Sequence, residues 1–183
     1  MLDDVRAARN NAFRMACRNG DEALARHVYS LGLTLEDVRA NGNTAFRWAC
    51  SNGHEAIARW LYSLGLTLDD VRADDNAAFH WACEHGHEAI ARWLFSLGLT
   101  LADVRTSDNR AFRWTCMNGH EAIARWLFSL GLTLADVRAN NNCAFGWACK
   151  CGHEAIARWL FSLGLTLADV RANSNYAFCC ACA

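Results

Sequence analysis

Proline is absent from the 183 residues and lysine occurs once, as Lys150. A chain without proline has no stiff proline-rich linker, and no low-complexity stretch or composition shift interrupts it. Charge of one sign is also missing: 18 basic residues face 19 acidic ones, for a net charge of −1 and a pI near 6.6. The electrostatic footprint of a dedicated nucleic-acid binder is therefore lacking. Long apolar runs are missing too. A typical uncharged apolar-rich run, Trp126 to Ala135, has 10 residues, whereas a membrane span needs about 20. The opening Met1-Leu2-Asp3-Asp4-Val5-Arg6 puts no apolar stretch behind a basic one, so no secretory signal is expected. The near-replacement of lysine by arginine reads as a composition bias with little mechanistic content. Hydrophobic residues make up 53% of the chain, which suffices for a core.

Ten cysteines suggest a disulfide scaffold until their positions are read. Cys17, Cys50, Cys83, Cys116, Cys149 and Cys182 recur every 33 residues, beside four others at Cys143, Cys151, Cys179 and Cys180. A disulfide needs Cα atoms within about 7 Å, and stacked helices stand about 8–10 Å apart. Equivalent cysteines then miss each other and are expected to be small buried hydrophobes in a reducing, intracellular compartment. The same period carries Phe13, Phe46, Phe79, Phe112, Phe145 and Phe178, and it carries the glycines from Gly20 to Gly152. It is the signature of a repeat array in which each unit buries its apolar face against its neighbours. The reading is one domain over 1–183, with units near 1–33, 34–66, 67–99, 100–132 and 133–165 and an incomplete 166–183.

Within a unit, Asn43 is placed to cap a first helix over about 44–52, with Ala45, Phe46, Ala49 and Cys50 on one face. Gly53 breaks it in a left-handed conformation. A second helix follows over about 54–64, with Ala56, Ile57, Trp60, Leu61 and Leu64 read as its buried stripe. Glu55 and Arg59 form an i, i+4 pair and Gly65 ends the helix. In Thr67-Leu68-Asp69-Asp70-Val71-Arg72, a threonine with an aspartate three residues on has the form of a capping box. That segment reads as a very short third helix.

These residues resemble the ankyrin repeat over almost the whole chain. The length of 33 fits, as does Ala49-Cys50-Ser51-Asn52-Gly53-His54 against the family's paired small residues and Gly-His. Ile57, Leu61 and Gly65 fall where the family places its second-helix core and terminal glycine. Two departures stand out. The family's Thr-Pro-Leu-His is Thr44-Ala45-Phe46-Arg47, and its Gly-Ala-Asp-Val-Asn gives way to Gly65-Leu66-Thr67-Leu68-Asp69-Asp70-Val71. The pattern is similar to the divergent ankyrin-like arrays of large DNA viruses and protists. Tetratricopeptide repeats, with a period of 34 and no Gly-His between helices, fit worse. The resemblance implies an all-α, ankyrin-like helical solenoid of about five and a half 33-residue repeats, with short helical connectors in place of β-hairpins.

Comparison of the units places candidate function. The stretch from His54 through Ala73 recurs nearly verbatim, and differences gather on the first helix and its connector. There stand Asn41, Gly42, Thr44, Arg47, Ser51 and Asn52, then Asp74, Asp75, Ala77, His80, Glu84 and His85, then Ser107, Asp108, Arg110, Arg113, Met117 and Asn118. Positions 44, 47 and 51 share one helix face, opposite Phe46 and Cys50. In the resembled family this surface lines a concave groove that grips protein partners. Free drift of exposed positions is the alternative, but Glu55, Arg59 and Ser63 on the outer helix are expected to be exposed as well and have not drifted. The groove candidates are Arg14, Arg18, Asn41, Thr44, Arg47, Ser51, Asp74, Asp75, His80, Glu84, Asp108, Arg110, Arg113, Met117 and Lys150. Arginines on the floor with acids on the rim suit a protein surface or acidic peptide, and the acids disfavour nucleic acid.

No catalytic set, metal site or cofactor loop stands out. His54, His87, His120 and His153 recur once per unit, about 10 Å apart by stacking, too far to share a zinc ion, and are read as caps of the second helix. Cys83-His85-His87 and Cys149-Cys151-His153 straddle a turn without a Cys-x-x-Cys knuckle. Trp48, Trp81, Trp114 and Trp147, with Trp60, Trp93, Trp126 and Trp159, read as packing. At the ends, Met15, His27 and Val28 make the first unit more polar, as a terminal repeat requires. Phe178 and Cys182 lack a second helix to roof them, so fraying there, or self-association, is expected. Two classes stay open: an interaction scaffold that is not an enzyme, or a structural or engineered consensus array without a specific ligand.

Overall fold

A computed structural model describes residues 2–171. The half-repeat with Phe178, Cys179, Cys180 and Cys182, and the fraying or self-association expected of it, lies outside the described residues. Helices form α1 (Leu2–Asn19), α2 (Glu22–Ser30), α3 (Leu35–Ser51), α4 (Glu55–Ser63), α5 (Leu68–Glu84), α6 (Glu88–Ser96), α7 (Leu101–Val104), α8 (Thr106–Met117), α9 (Glu121–Ser129), α10 (Leu134–Val137), α11 (Ala139–Lys150) and α12 (Glu154–Ser162). No strand occurs among the described residues, so the fold is all-α and its connectors are helical. The described residues pack as two compact units, one from 2–82 and 89–98, the other from 83–88 and 99–171. In the first, α1 packs on α2 and α3, and α3 on α4. In the second, α8 packs on α9 and α11, and α12 on α11 and α9.

The core of each unit repeats the sequence pattern. Phe13, Phe46 and Phe79 are fully buried in the first unit, with Cys17, Cys50, Ile57, Leu61, Ile90 and Leu94; Phe112, Cys83, Cys116, Ile123, Leu127 and Leu160 are buried in the second. The second-helix stripe is Ile57, Ala58 and Leu61, flanked by half-buried Trp60 and Leu64, and Ala56 faces solvent. Helical geometry explains that correction: at 3.6 residues per turn, Ala56 lies roughly 145° from the centre of the stripe. Gly53 and Gly65 end their helices with φ of 81° and 115°, in the left-handed region that glycine enters without a Cβ penalty.

The connector contains a backbone feature invisible in the hydrophobic pattern. Each one-turn helix opens on a capping box. Thr133 donates to Asp136 from its backbone N–H at 2.8 Å and its hydroxyl at 2.9 Å, and Thr34–Asp37 and Thr100–Asp103 are built alike. The chain then takes three successive left-handed residues before the first helix: Asn41-Gly42-Asn43 (φ 56°, 65°, 60°), Asp74-Asp75-Asn76, Ser107-Asp108-Asn109 and Asn140-Asn141-Asn142. That conformation costs most residues about 1–2 kcal/mol, and glycine, asparagine and aspartate tolerate it best. Asn43 therefore does not cap the helix that follows it. It sits inside the turn, and its Nδ2 donates to the backbone oxygen and Oδ1 of Asp70 in the next repeat, both at 3.2 Å.

That aspartate is the joint between repeats. Arg39 adds its guanidinium to Asp70, with Nη2–Oδ2 at 3.0 Å. Arg6 and Asn10 hold Asp37 in the same way, at 2.8 Å from Arg6 Nη2 and 2.8 Å from Asn10 Nδ2. In the second unit Arg105 binds Asp136 and Arg138 binds Asp169, at 2.8 and 2.9 Å. The Arg6 guanidinium beside Asp37 holds that carboxyl well below the usual carboxylate range. At Asp136 burial pushes the other way, but the Arg105 guanidinium and the two Thr133 donors outweigh it and bring the carboxyl to about 2.

The glycine–histidine signal also works between repeats. His54 stands at the N-cap position of α4 but makes no capping bond there. Its Nε2 lies 2.9 Å from the Arg18 carbonyl of the preceding repeat. His120 and His153 reach the Glu84 and Met117 carbonyls at 3.0 and 2.9 Å. A Cβ on Gly20, Gly86 or Gly119 would meet the imidazole of the following repeat at 2.6 Å, so the close approach of that histidine requires glycine at these three positions.

Two outcomes follow. The folded carboxyls titrate below the unfolded value of about 3.9, so the unfolded state binds more protons in between. Conformational stability should be at full strength above about pH 4 and fall progressively as pH drops to about 2. Denaturant unfolding across that range checks it, with Asp136→Ala costing about 2–3 kcal/mol at neutral pH and flattening the acid limb. At the turn, Asn141→Val should destabilise by about 1–2 kcal/mol, while Asn141→Gly, which copies Gly42, should not destabilise at all.

Candidate functional site

The first helices present their variable face where the sequence places it. Thr44, Arg47 and Ser51 are half-buried, as are Glu84, Arg110, Arg113 and Met117, while Arg18 and Lys150 are exposed. Arg14 is half-buried on the same face of α1, and Asn41, Asp74, Asp75 and Asp108 stand exposed on their left-handed turns. His80 departs from the set: it is 1% exposed and offers no surface.

Several of these side chains already serve the fold. Arg47 Nη2 donates to the Asn41 carbonyl of its own turn at 3.1 Å, and its guanidinium pairs with Asp74 and stacks 5.3 Å from the Trp81 ring. Arg113, the same position two repeats on, donates to the Asp108 and Ser107 carbonyls at 2.7 and 3.1 Å. Both arginines thus lock a left-handed turn. Variation at 41, 74, 75 and 108 stays within asparagine, aspartate, glycine and serine because the backbone demands it there. Arg110 lies 4.0 Å from Glu84 and over the Trp114 ring at 5.8 Å.

The first-helix tryptophans, which read from the sequence as packing, also belong to the variable face. Trp48, Trp81, Trp114 and Trp147 are half-buried on this face, and cations sit on their rings: Arg18 on Trp48 at 5.3 Å and Lys150 on Trp147 at 4.4 Å. The available signal was position, since each tryptophan directly follows the variable site at Arg47, His80, Arg113 or Gly146.

The unchanging outer face has a structural cause. Glu55 orients Arg59 at 2.8 Å, and Arg59 stacks 4.8 Å from Trp93 of the next repeat. Glu121, Arg125 and Trp159 repeat that arrangement in the second unit. Tyr62 meets the edge of Trp93 at 5.8 Å, Phe128 that of Trp159 at 5.8 Å, and the Ser63 hydroxyl donates to the Trp60 carbonyl at 2.6 Å. Constancy there reflects stacking between repeats and lends no weight of its own to a partner on the opposite face.

Among the described residues no group of three or more His, Cys, Asp or Glu side chains is arranged to hold a metal ion. Cys17, Cys50, Cys83 and Cys116 are buried free thiols; burial pushes Cys17 up to about 12 and raises the other three further. Cys143 and Cys149 are half-buried and Cys151 is exposed. Native maleimide labelling read by peptide mass should therefore modify Cys151, Cys143 and Cys149, and spare Cys17, Cys50, Cys83 and Cys116 until denaturant is added.

Among the described residues no helix is long and apolar enough to cross a membrane. A search of curated proteins finds no match to this chain. The family model for ankyrin repeats in three copies matches residues 13–108, just over half of the chain, a stretch that contains the Gly53-His54 turn, the buried Phe13, Phe46 and Phe79 and the second-helix stripe of Ile57, Ala58 and Leu61. The chain belongs to the ankyrin repeat family.

Proposed function

We propose that the chain is a protein-interaction scaffold that takes its partner on the first-helix and connector surface. Ankyrin repeats generally mediate protein–protein interaction, and proteins built from them are typically non-enzymatic. The observation that carries the reading is one structural position. Ser51, Glu84, Met117 and Lys150 are equivalent, lie half-buried or exposed on the first helix, and carry four different chemistries. The positions that join successive repeats, the aspartate joint and the Arg–Trp stack, hold one residue type. Arg14, Arg18, Arg110 and Lys150 supply cations on this surface, which suits an acidic protein or peptide, while Asp75 and Asp108 on the turns oppose a phosphate backbone.

The same proposal treats 1–183 as one repeat domain, supported by the unbroken period of 33, and places it in a reducing intracellular setting, supported by the buried free thiols. A structural array without a specific ligand is the competing reading, favoured by the number of repeated residues that serve only stacking.

Arg47 and Arg113 hold turns, so reversing their charge would confound binding with folding. Arg18→Glu combined with Lys150→Glu avoids this. The double variant should lose captured partners at least tenfold in a quantitative affinity pull-down while its helical circular dichroism stays unchanged. Undiminished capture of every partner would rule out the groove and leave the structural array.

A further inference from the structure

The first-helix face of the second unit is not level. Arg113, Trp114, Met117, Cys143 and Trp147 enclose a hollow of about 140 Å³. Cys143 stands where other repeats carry Asn11, Thr44, Ala77 and Arg110. The short Cys143 side chain leaves open the space beside the two indoles. The volume is close to the ~150 Å³ of an engineered apolar cavity that binds benzene. Two indoles, a thioether and a thiol make polarisable walls that suit an aromatic ring.

Charge narrows the choice of ligand. Arg113 is pinned by its bonds to the Asp108 and Ser107 carbonyls, and its Nη1 lies 3.8 Å from Cys143 Sγ on the wall of the hollow. Arg110, which also lies 4.0 Å from Glu84, sits over one indole of the hollow at 5.8 Å and Lys150 over the other at 4.4 Å. Three cations so placed repel a cationic ligand, which excludes the ammonium that an aromatic pocket would otherwise favour. They attract carboxylates on either side of an inserted ring.

We infer that this hollow is the anchor point of the interaction surface and receives one aromatic side chain of a peptide whose neighbouring residues are acidic. The inference rests on the groove reading above and adds to it the chemistry of the partner segment. Anchors of this kind dominate interface energetics because a ring in a desolvated pocket gains area at low entropic cost.

The test uses the full chain and three Gly/Ser peptides of about a dozen residues, with central Glu-Phe-Glu, Glu-Ala-Glu or Lys-Phe-Lys, the length chosen to span one anchor and its flanks. Indole N–H resonances are followed by NMR. The Glu-Phe-Glu peptide should shift the Trp114 and Trp147 signals and bind at least tenfold more tightly than the other two. Cys143→Leu, which fills the hollow, should abolish that binding. Met117→Glu, which copies Glu84 and sets an acid at the wall, should weaken it at least tenfold, and it serves as the check if the leucine variant misfolds. Equal affinity of the phenylalanine and alanine peptides would overturn the inference, as would equal shifts at Trp48 and Trp81 or undiminished binding to both variants. Partners that survive Cys143→Leu but are lost from the Arg18→Glu, Lys150→Glu variant would sink the anchor pocket and leave the groove standing.

Discussion

Asp70 and its counterparts Asp37, Asp136 and Asp169 each close a capping box within their own connector while accepting a guanidinium from the repeat before. Helix initiation and repeat stacking therefore use the same carboxylate. A surface ion pair contributes little, but these carboxylates are largely removed from water and receive several donors at once, the condition under which a charged hydrogen-bond network is worth most. The connector cannot shift without breaking the joint, so the left-handed turn beyond it is held in place.

That turn sets what the rest of the surface can do. Three successive left-handed residues aim the first helix, and Arg47 and Arg113 then spend their donors on the turn carbonyls. Cations that look available in the sequence are partly committed to the backbone. The position that differs most from repeat to repeat is the one at the far end of the helix, Ser51, Glu84, Met117 and Lys150, and in the second unit it adjoins Cys143 and the hollow. A rigid scaffold with a few variable side chains suits recognition, because little order has to be imposed on binding.

Much of the fold could be read without coordinates. The period of 33, the buried phenylalanines and cysteines, the terminating glycines and the capping box each depend on residues close in sequence or on a strict repeat. The readings that needed correction share a cause. Asn43 and His54 were assigned to caps of their own helices because local spacing allowed it, but both reach into an adjacent repeat, 27 and 36 residues away. Ala56 was drawn into a stripe centred one residue away. The constancy of Glu55 and Arg59 had the look of a neutral surface and is a stacking ladder.

By itself the sequence determined that this is an all-α repeat array with helical connectors, because periodicity and the 3.6-residue stripe are local properties that any observer of the chain can count. Only the tertiary structure decided which polar residues are spent between repeats, which turns are left-handed, and where an apolar hollow lies beside three cations. Those features arise when residues about one repeat apart are brought within hydrogen-bonding distance, and spacing along the chain does not encode the direction in which a side chain points.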